Sequence, residues 1–169
     1  VRDKDEFQFL TNVPWGYEQQ TLGFNYRMND LQAALGLSQL KRLKKIVIER
    51  NKLAMYYKEN LPEDKVSLLR VPDEVICSYH LAVIRLKDST ASKHEHLFKF
   101  LRKNKIGVQL HYLPVHLHPY FREMGFKEGD YPNAEIYAKS AISLPLYPGL
   151  ETIQQEYVVK KVTEGLEKI

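Results

Sequence analysis

Apolar residues recur at three- and four-residue steps along the stretch 29–61, where Ala33, Leu37, Leu40, Leu43, Val47, Ala54 and Tyr57 form one stripe. That period predicts a single long helix. Asn29 or Asp30 would cap its first free amides, and Pro62 would end it. The early turns, AALGL at 33–37, are small and apolar on more than one side. They fit either close approach by another helix or subunit, or a deeply buried helix start. Beyond Pro62 the period changes. Runs rich in apolar and β-branched residues at 66–71 (VSLLRV) and 79–86 (YHLAVIRL) predict strands. A helix follows over 92–104 on a face of Leu97, Phe98 and Leu101, and 106–112 predicts a third strand that runs into the loop PVHLHPYF. The stretch 132–140 reads as a short helix and LPLYPGL as extended chain. Thr152 and Gln155 form a capping-box pattern that opens a last amphipathic helix through Ile153, Tyr157, Val158, Val162 and Leu166.

The order β, β, α, β predicts an α+β fold, with helices packed over a small sheet. Three segments follow from the pattern: an arm or loop over 1–28, rich in polar and aromatic residues with Pro14, Gly16 and Gly23; a connecting helix over 29–61; and a small α+β domain over 62–169.

Length and composition narrow the picture. A chain of 169 residues builds one respectable core, and 44% hydrophobic with 27% charged residues is ordinary for a globular protein. The formal charge of +4 is spread among Lys41, Arg42, Lys44, Lys45 and Arg50 beside Glu49, a pattern of a solvated face rather than a nucleic-acid surface. No recognition-helix signature accompanies it, so nucleic acid is not an expected partner. Cys77 is the single cysteine, which precludes an intramolecular disulfide and points to a reducing cytoplasm. No run approaches the roughly 20 apolar residues of a membrane helix, so no membrane partner is expected. The opening VRDKD resembles no signal peptide and carries no initiating Met, which suggests a start within a longer protein.

Two constellations carry candidate chemistry. In GFNYRMND at 23–30, an Asn amide and an Arg guanidinium sit where a turn enters a helix, an arrangement suited to a phosphate. The same residues also read as a capped helix start with a surface arginine. In the second, Gln109, His111, Tyr112, His116 and His118 crowd a strand end and the loop after it, with Gln109 and His111 on one face and Tyr112 on the other. Metal, ordinary structural histidines and a polar or anionic ligand are all readings of this group. Metal is the weakest, because the histidines lack helical spacing and no carboxylate or thiolate is near in sequence. No GxSxG, P-loop or GxGxxG motif is present.

The segments LGFNYRMNDLQAALGLSQLKRL, SYHLAVIRL, IGVQLHYLPVHLHPYF and AISLPLYPGL, in this order and spacing, resemble consecutive signatures of the DegT/DnrJ/EryC1/StrS aminotransferases. The resemblance implies the C-terminal small domain of a fold-type I, pyridoxal-phosphate-dependent transferase, with the arm over 1–28 coming from the large domain. It implies a homodimer that moves an amino group from glutamate to a UDP-linked 4-keto-deoxysugar. Asn25 matches the family asparagine that reaches across the dimer to the cofactor phosphate, and Tyr26 and Arg27 border that site. His111 and Tyr112 match a pair near the nucleotide sugar. His116 and His118, from the adjoining loop, are expected either to contact diphosphate or to pack. The Schiff-base lysine, the aspartate for the pyridine nitrogen and the stacking aromatic lie upstream of GFNYR in the family and match no position here. The chain is therefore expected to hold no catalytic residue and to be inactive alone. The rival expectation is a noncatalytic remnant that dimerises or binds nucleotide sugars.

Overall fold

A computed structural model describes residue 19 and residues 21–169; the rest of the expected arm lies outside the described residues. Two compact units divide between Lys41 and Arg42. In the first, helix α1 (Asp30–Leu40) opens on Asn29, the one of the two candidate caps that is used. Its Oδ1 accepts from the Gln32 amide at 2.9 Å, and Gln32 Oε1 accepts from the Asn29 amide at 3.1 Å. No residue of α1 is buried, and Leu31, Leu35, Leu37 and Leu40 are exposed, so the deeply buried helix start is not observed.

The single helix expected over 29–61 is interrupted. Lys41 and Arg42 form a turn, and helix α2 (Leu43–Asn60) begins after it. Neither proline nor glycine stands there. Arg42 opens to φ −103°, ψ −7°, at the edge of helical space, which breaks the ladder while leaving the apolar period intact. Periodicity alone therefore could not register the break.

In the second unit a three-stranded antiparallel sheet has the order β1 (Val66–Leu68), β2 (Ala82–Leu86), β3 (Ala141–Leu144). Val66 pairs with Leu86, Ile84 with Ile142, and Val83 with Ser143. Strand β2 is shorter than the apolar run that predicted it because Tyr79 adopts φ +42°, outside strand space. The third strand differs from expectation. Of the stretch 106–112 only Gln109 pairs, as an isolated bridge to Ser143, because the Val108 amide turns back to the Ile106 carbonyl at 3.0 Å. The strand position beside β2 belongs to AISL at 141–144 instead.

Helices α3 (Ala91–Lys103) and α6 (Thr152–Leu166) pack on each other and on the sheet, with Leu97, Leu101, Val158 and Val162 meeting Ile84, Ile142 and Tyr57 in the core. Each such side chain contributes about 1.5–3 kcal/mol by leaving water. At Gly165 of α6 the two helices leave little room, since a Cβ would stand 2.6 Å from Leu97 Cδ1. Helix α6 starts one residue earlier than its capping-box pattern predicts, with Glu151 as cap and Gln154 Oε1 accepting from the Glu151 amide. Gln155 is buried, and its Nε2 donates to the Leu53 carbonyl at 2.7 Å, tying α6 to α2. The short helices α4 (Pro119–Glu123) and α5 (Pro132–Ala138) both start on proline, whose missing amide costs nothing there.

Arg50 departs from the expected solvated face. Half-buried on α2, its Nη1 donates to the carbonyls of Tyr79 and His80, each at 2.8 Å. It holds the entry to β2 against the helix.

Candidate functional site

Strand β3 is buried along its whole length, so its one polar side chain, Ser143, needs a partner. The chain from Gln109 supplies it. The Ser143 amide donates to the Gln109 carbonyl at 2.8 Å and the Gln109 amide donates back at 3.2 Å, which lays 109–111 along the free edge of β3. His111, half-buried, then places Nδ1 2.7 Å from Ser143 Oγ. Tyr112 follows through a cis peptide, is 73% exposed, and meets the His111 ring edge-on at 4.6 Å between centroids. Gln109, His111 and Tyr112 thus form an edge of hydrogen-bonding groups anchored on a rigid strand. An amide, an imidazole and a phenol suit a polar or anionic ligand.

The remaining histidines of the loop divide. His116 is buried with only 5% of its surface exposed, and its Nε2 donates to Glu135 Oε1 at 2.9 Å. The Gly129 amide donates to the same oxygen at 2.8 Å. The His116 hydrogen bond, followed by that from Gly129, holds the Glu135 carboxyl below the usual carboxylate range. Tyr131 lies against the imidazole, its centroid 4.9 Å away. His116 is therefore built into a buried pair that fixes the loop between η-turn Val115–Leu117 and α5, and that nitrogen is not available to a diphosphate. His118 is exposed and precedes α4, with its carbonyl accepting from the Phe121 and Arg122 amides.

Asn25, Tyr26 and Arg27 belong to the first unit and are exposed. Asn25 adopts φ +59°, a left-handed turn that asparagine tolerates better than most residues. Arg27 Nε donates to Asn25 Oδ1 at 2.8 Å. This contact occupies the amide oxygen and leaves Asn25 Nδ2 and the guanidinium Nη groups as the remaining donors of two exposed residues. A donor-only pair of this kind fits a phosphate dianion. Phe24 and Tyr26 stack beside it, 5.6 Å between centroids.

Sequence reasoning missed Ser143 and Glu135, the partners that orient His111 and bury His116. The signal for Ser143 was present: a lone hydroxyl in AISL, a run otherwise apolar, demands a hydrogen-bonding neighbour. No comparable signal marks Glu135. Among the described residues no group of three His, Cys, Asp or Glu side chains is placed to hold a metal, and no helix is long and apolar enough to cross a membrane.

The chain is 34% identical over 161 residues to a spore coat polysaccharide biosynthesis protein of Bacillus subtilis, covering 93% of this chain and 41% of that one. It is 29% identical over 156 residues to the UDP-4-amino-4,6-dideoxy-N-acetyl-beta-L-altrosamine transaminase of Campylobacter jejuni, covering 92% of this chain and 41% of that one. In three dimensions it superposes on a Streptococcus pneumoniae protein described as a sugar aminotransferase and solved in its PMP form. That match has a TM-score of 0.82 at 26% identity over 95% of this chain and 40% of the other. The chain thus spans about two fifths of the length of its curated relatives. The profile of one family matches residues 6–163, and on that match the chain belongs to the DegT/DnrJ/EryC1/StrS aminotransferase family.

Proposed function

We propose that the protein to which this chain belongs is a pyridoxal-phosphate-dependent sugar aminotransferase. It moves an amino group from glutamate to a UDP-linked 4-keto-deoxysugar, works as a homodimer in the cytoplasm, and uses this chain as its C-terminal small domain. Family membership supports the reaction class. The observation that carries the reading at the level of residues is the Gln109–His111–Tyr112 edge on β3, in which buried Ser143 holds Gln109 and half-buried His111 beside the exposed Tyr112. A structural relative solved in a PLP form supports the cofactor.

When bound, pyridoxal phosphate supplies the electron-withdrawing ring through which amino groups are exchanged. Asn25 Nδ2 and the Arg27 guanidinium would hold its phosphate, with Tyr26 bordering the site. His111 and Tyr112 would bind and orient the nucleotide sugar by hydrogen bonds to its oxygens. His118 extends the same loop, and His116 serves by fixing that loop through Glu135. The Schiff-base lysine is assigned to the remainder of the protein, so the chain alone is inactive.

The test is an aminotransfer assay with glutamate, pyridoxal phosphate and UDP-linked 4-keto-sugars, following 2-oxoglutarate. The full-length protein should produce it and this chain should not. Turnover by the chain alone would overturn the division of roles, and failure of the full-length protein on every such sugar would overturn the substrate class.

A further inference from the structure

We infer that Ser143 is a positioning residue that holds His111 in one tautomer, with the proton on Nε2 and that N–H presented outward as a donor. Ser143 is 95% buried, since only 5% of its surface is exposed, and its Oγ has one hydrogen-bond partner among the described residues, His111 Nδ1 at 2.7 Å. Either group can donate across that distance. If Nδ1–H donated, the serine hydroxyl proton would be left buried with no acceptor. A buried, unpaired donor costs about 1–3 kcal/mol, whereas an oxygen with a spare lone pair is cheaply tolerated. The hydroxyl therefore donates, Nδ1 accepts, and in the neutral ring the proton falls on Nε2.

The serine can hold this orientation because its backbone is fixed on both sides. It pairs with Val83 across β2 and β3, and its amide and carbonyl are bonded to Gln109 on the other edge. The hydroxyl therefore has a defined direction before any ligand arrives, and the histidine it controls is only half-buried. An outward N–H selects an acceptor: a diphosphate, carbonyl or hydroxyl oxygen. That this acceptor is part of a nucleotide sugar rests on the function proposed above; the tautomer does not.

Long-range proton–nitrogen NMR on the chain reads the tautomer directly, because protonated and unprotonated imidazole nitrogens resonate far apart. His94 provides an internal control: its Nε2 lies 2.9 Å from the Ala141 carbonyl, which can only accept, so its tautomer is set independently of Ser143. At a pH where the ring is neutral, His111 should show a bare Nδ1 and a protonated Nε2. Ser143→Ala should move both His111 nitrogens part-way toward the values of an unconstrained neutral imidazole, with Nδ1 gaining proton character, without moving the His94 signals, and Ser143→Thr, which restores a hydroxyl, should reverse the shift. A protonated Nδ1 in the parent chain would overturn the inference even if no variant folded. So would a Ser143→Ala spectrum in which both His111 nitrogens stay at their parent positions. Failure of the aminotransfer assay with this pattern intact would remove the nucleotide-sugar reading and leave the positioning role standing.

Discussion

Replacing Arg50 with methionine keeps the length and apolar stem of the side chain and removes only its donors. Two bonds at 2.8 Å are lost, to the carbonyls of Tyr79 and His80; the contact to Leu146 at 3.5 Å is too long to count. Hydrogen bonds to a charged group contribute about 1.5–3 kcal/mol each. The His80 residue is exposed, so water replaces the guanidinium there, while the Tyr79 carbonyl is half-covered and is not fully rehydrated. The net loss is about 1.5–3 kcal/mol, enough to lower the Tm of a body this size by roughly 6–10 °C. Urea unfolding followed by circular dichroism measures it, and the slope of the transition should be unchanged. Arg50→Lys should fall between, because a single ammonium cannot reproduce the fork of a guanidinium. A methionine variant within about 0.5 kcal/mol of the parent would show that Arg50 is the solvated surface charge that the sequence pattern indicates and does not hold the entry to β2.

Folding lowers the Glu135 pKa, so its contribution to stability is present above the ordinary glutamate value of about 4.3 and is lost as pH falls through the folded-state value. Glu164 beside Lys161 and Glu95 beside Lys99 titrate in the same direction, so the informative quantity is the difference between the Tm–pH curves of the parent and Glu135→Gln. The difference should be greatest at neutral pH and shrink in acid; parallel curves would contradict it. Gly165→Ala would set a Cβ 2.6 Å from Leu97 Cδ1 and 2.9 Å from Phe100 Cδ1. Overpacking at about 1–3 kcal/mol should outweigh the roughly 1 kcal/mol that alanine gains in a helix, so calorimetry should show net destabilisation, and a more stable variant would mean Leu97 yields. In the full-length protein, Arg27→Ala should weaken pyridoxal-phosphate binding about tenfold, equivalent to about 1.4 kcal/mol, by absorbance titration; unchanged affinity would remove Arg27 from the phosphate site.

The parts of the fold that were legible in the sequence are those set by local chemistry. Helix α3 follows from the spacing of Leu97 and Leu101, and α5 and the cap of α1 from Pro132 and Asn29. Strand β3 was not legible, because four buried residues in a row carry no alternation, and the more strand-like 106–112 is diverted by the turn at Ile106–Val108. The break at Lys41–Arg42 falls inside an unbroken three- and four-residue apolar spacing and so leaves no trace in the pattern. At the site, His111 and Tyr112 stood out as polar residues at a strand end. Their supports did not, because Ser143 lies 32 positions from His111 and Glu135 lies 19 from His116, distances that only the folded chain closes. Arg50 shows the same limit in reverse, since a charge that alternates with Lys and Glu along a helix looks solvated whichever way it points.

The most direct test of the central claim, that the His111–Tyr112 edge receives a nucleotide sugar, is titration of the chain with UDP while the His111 imidazole and Tyr112 ring signals are followed by NMR. Saturable shifts at both, with the His111 Nε2–H moving most and the response weakened about tenfold in His111→Ala, are the predicted result, as befits one hydrogen bond to a charged acceptor. Shifts confined to the lysines of α2, or no saturable shift at His111, would contradict it.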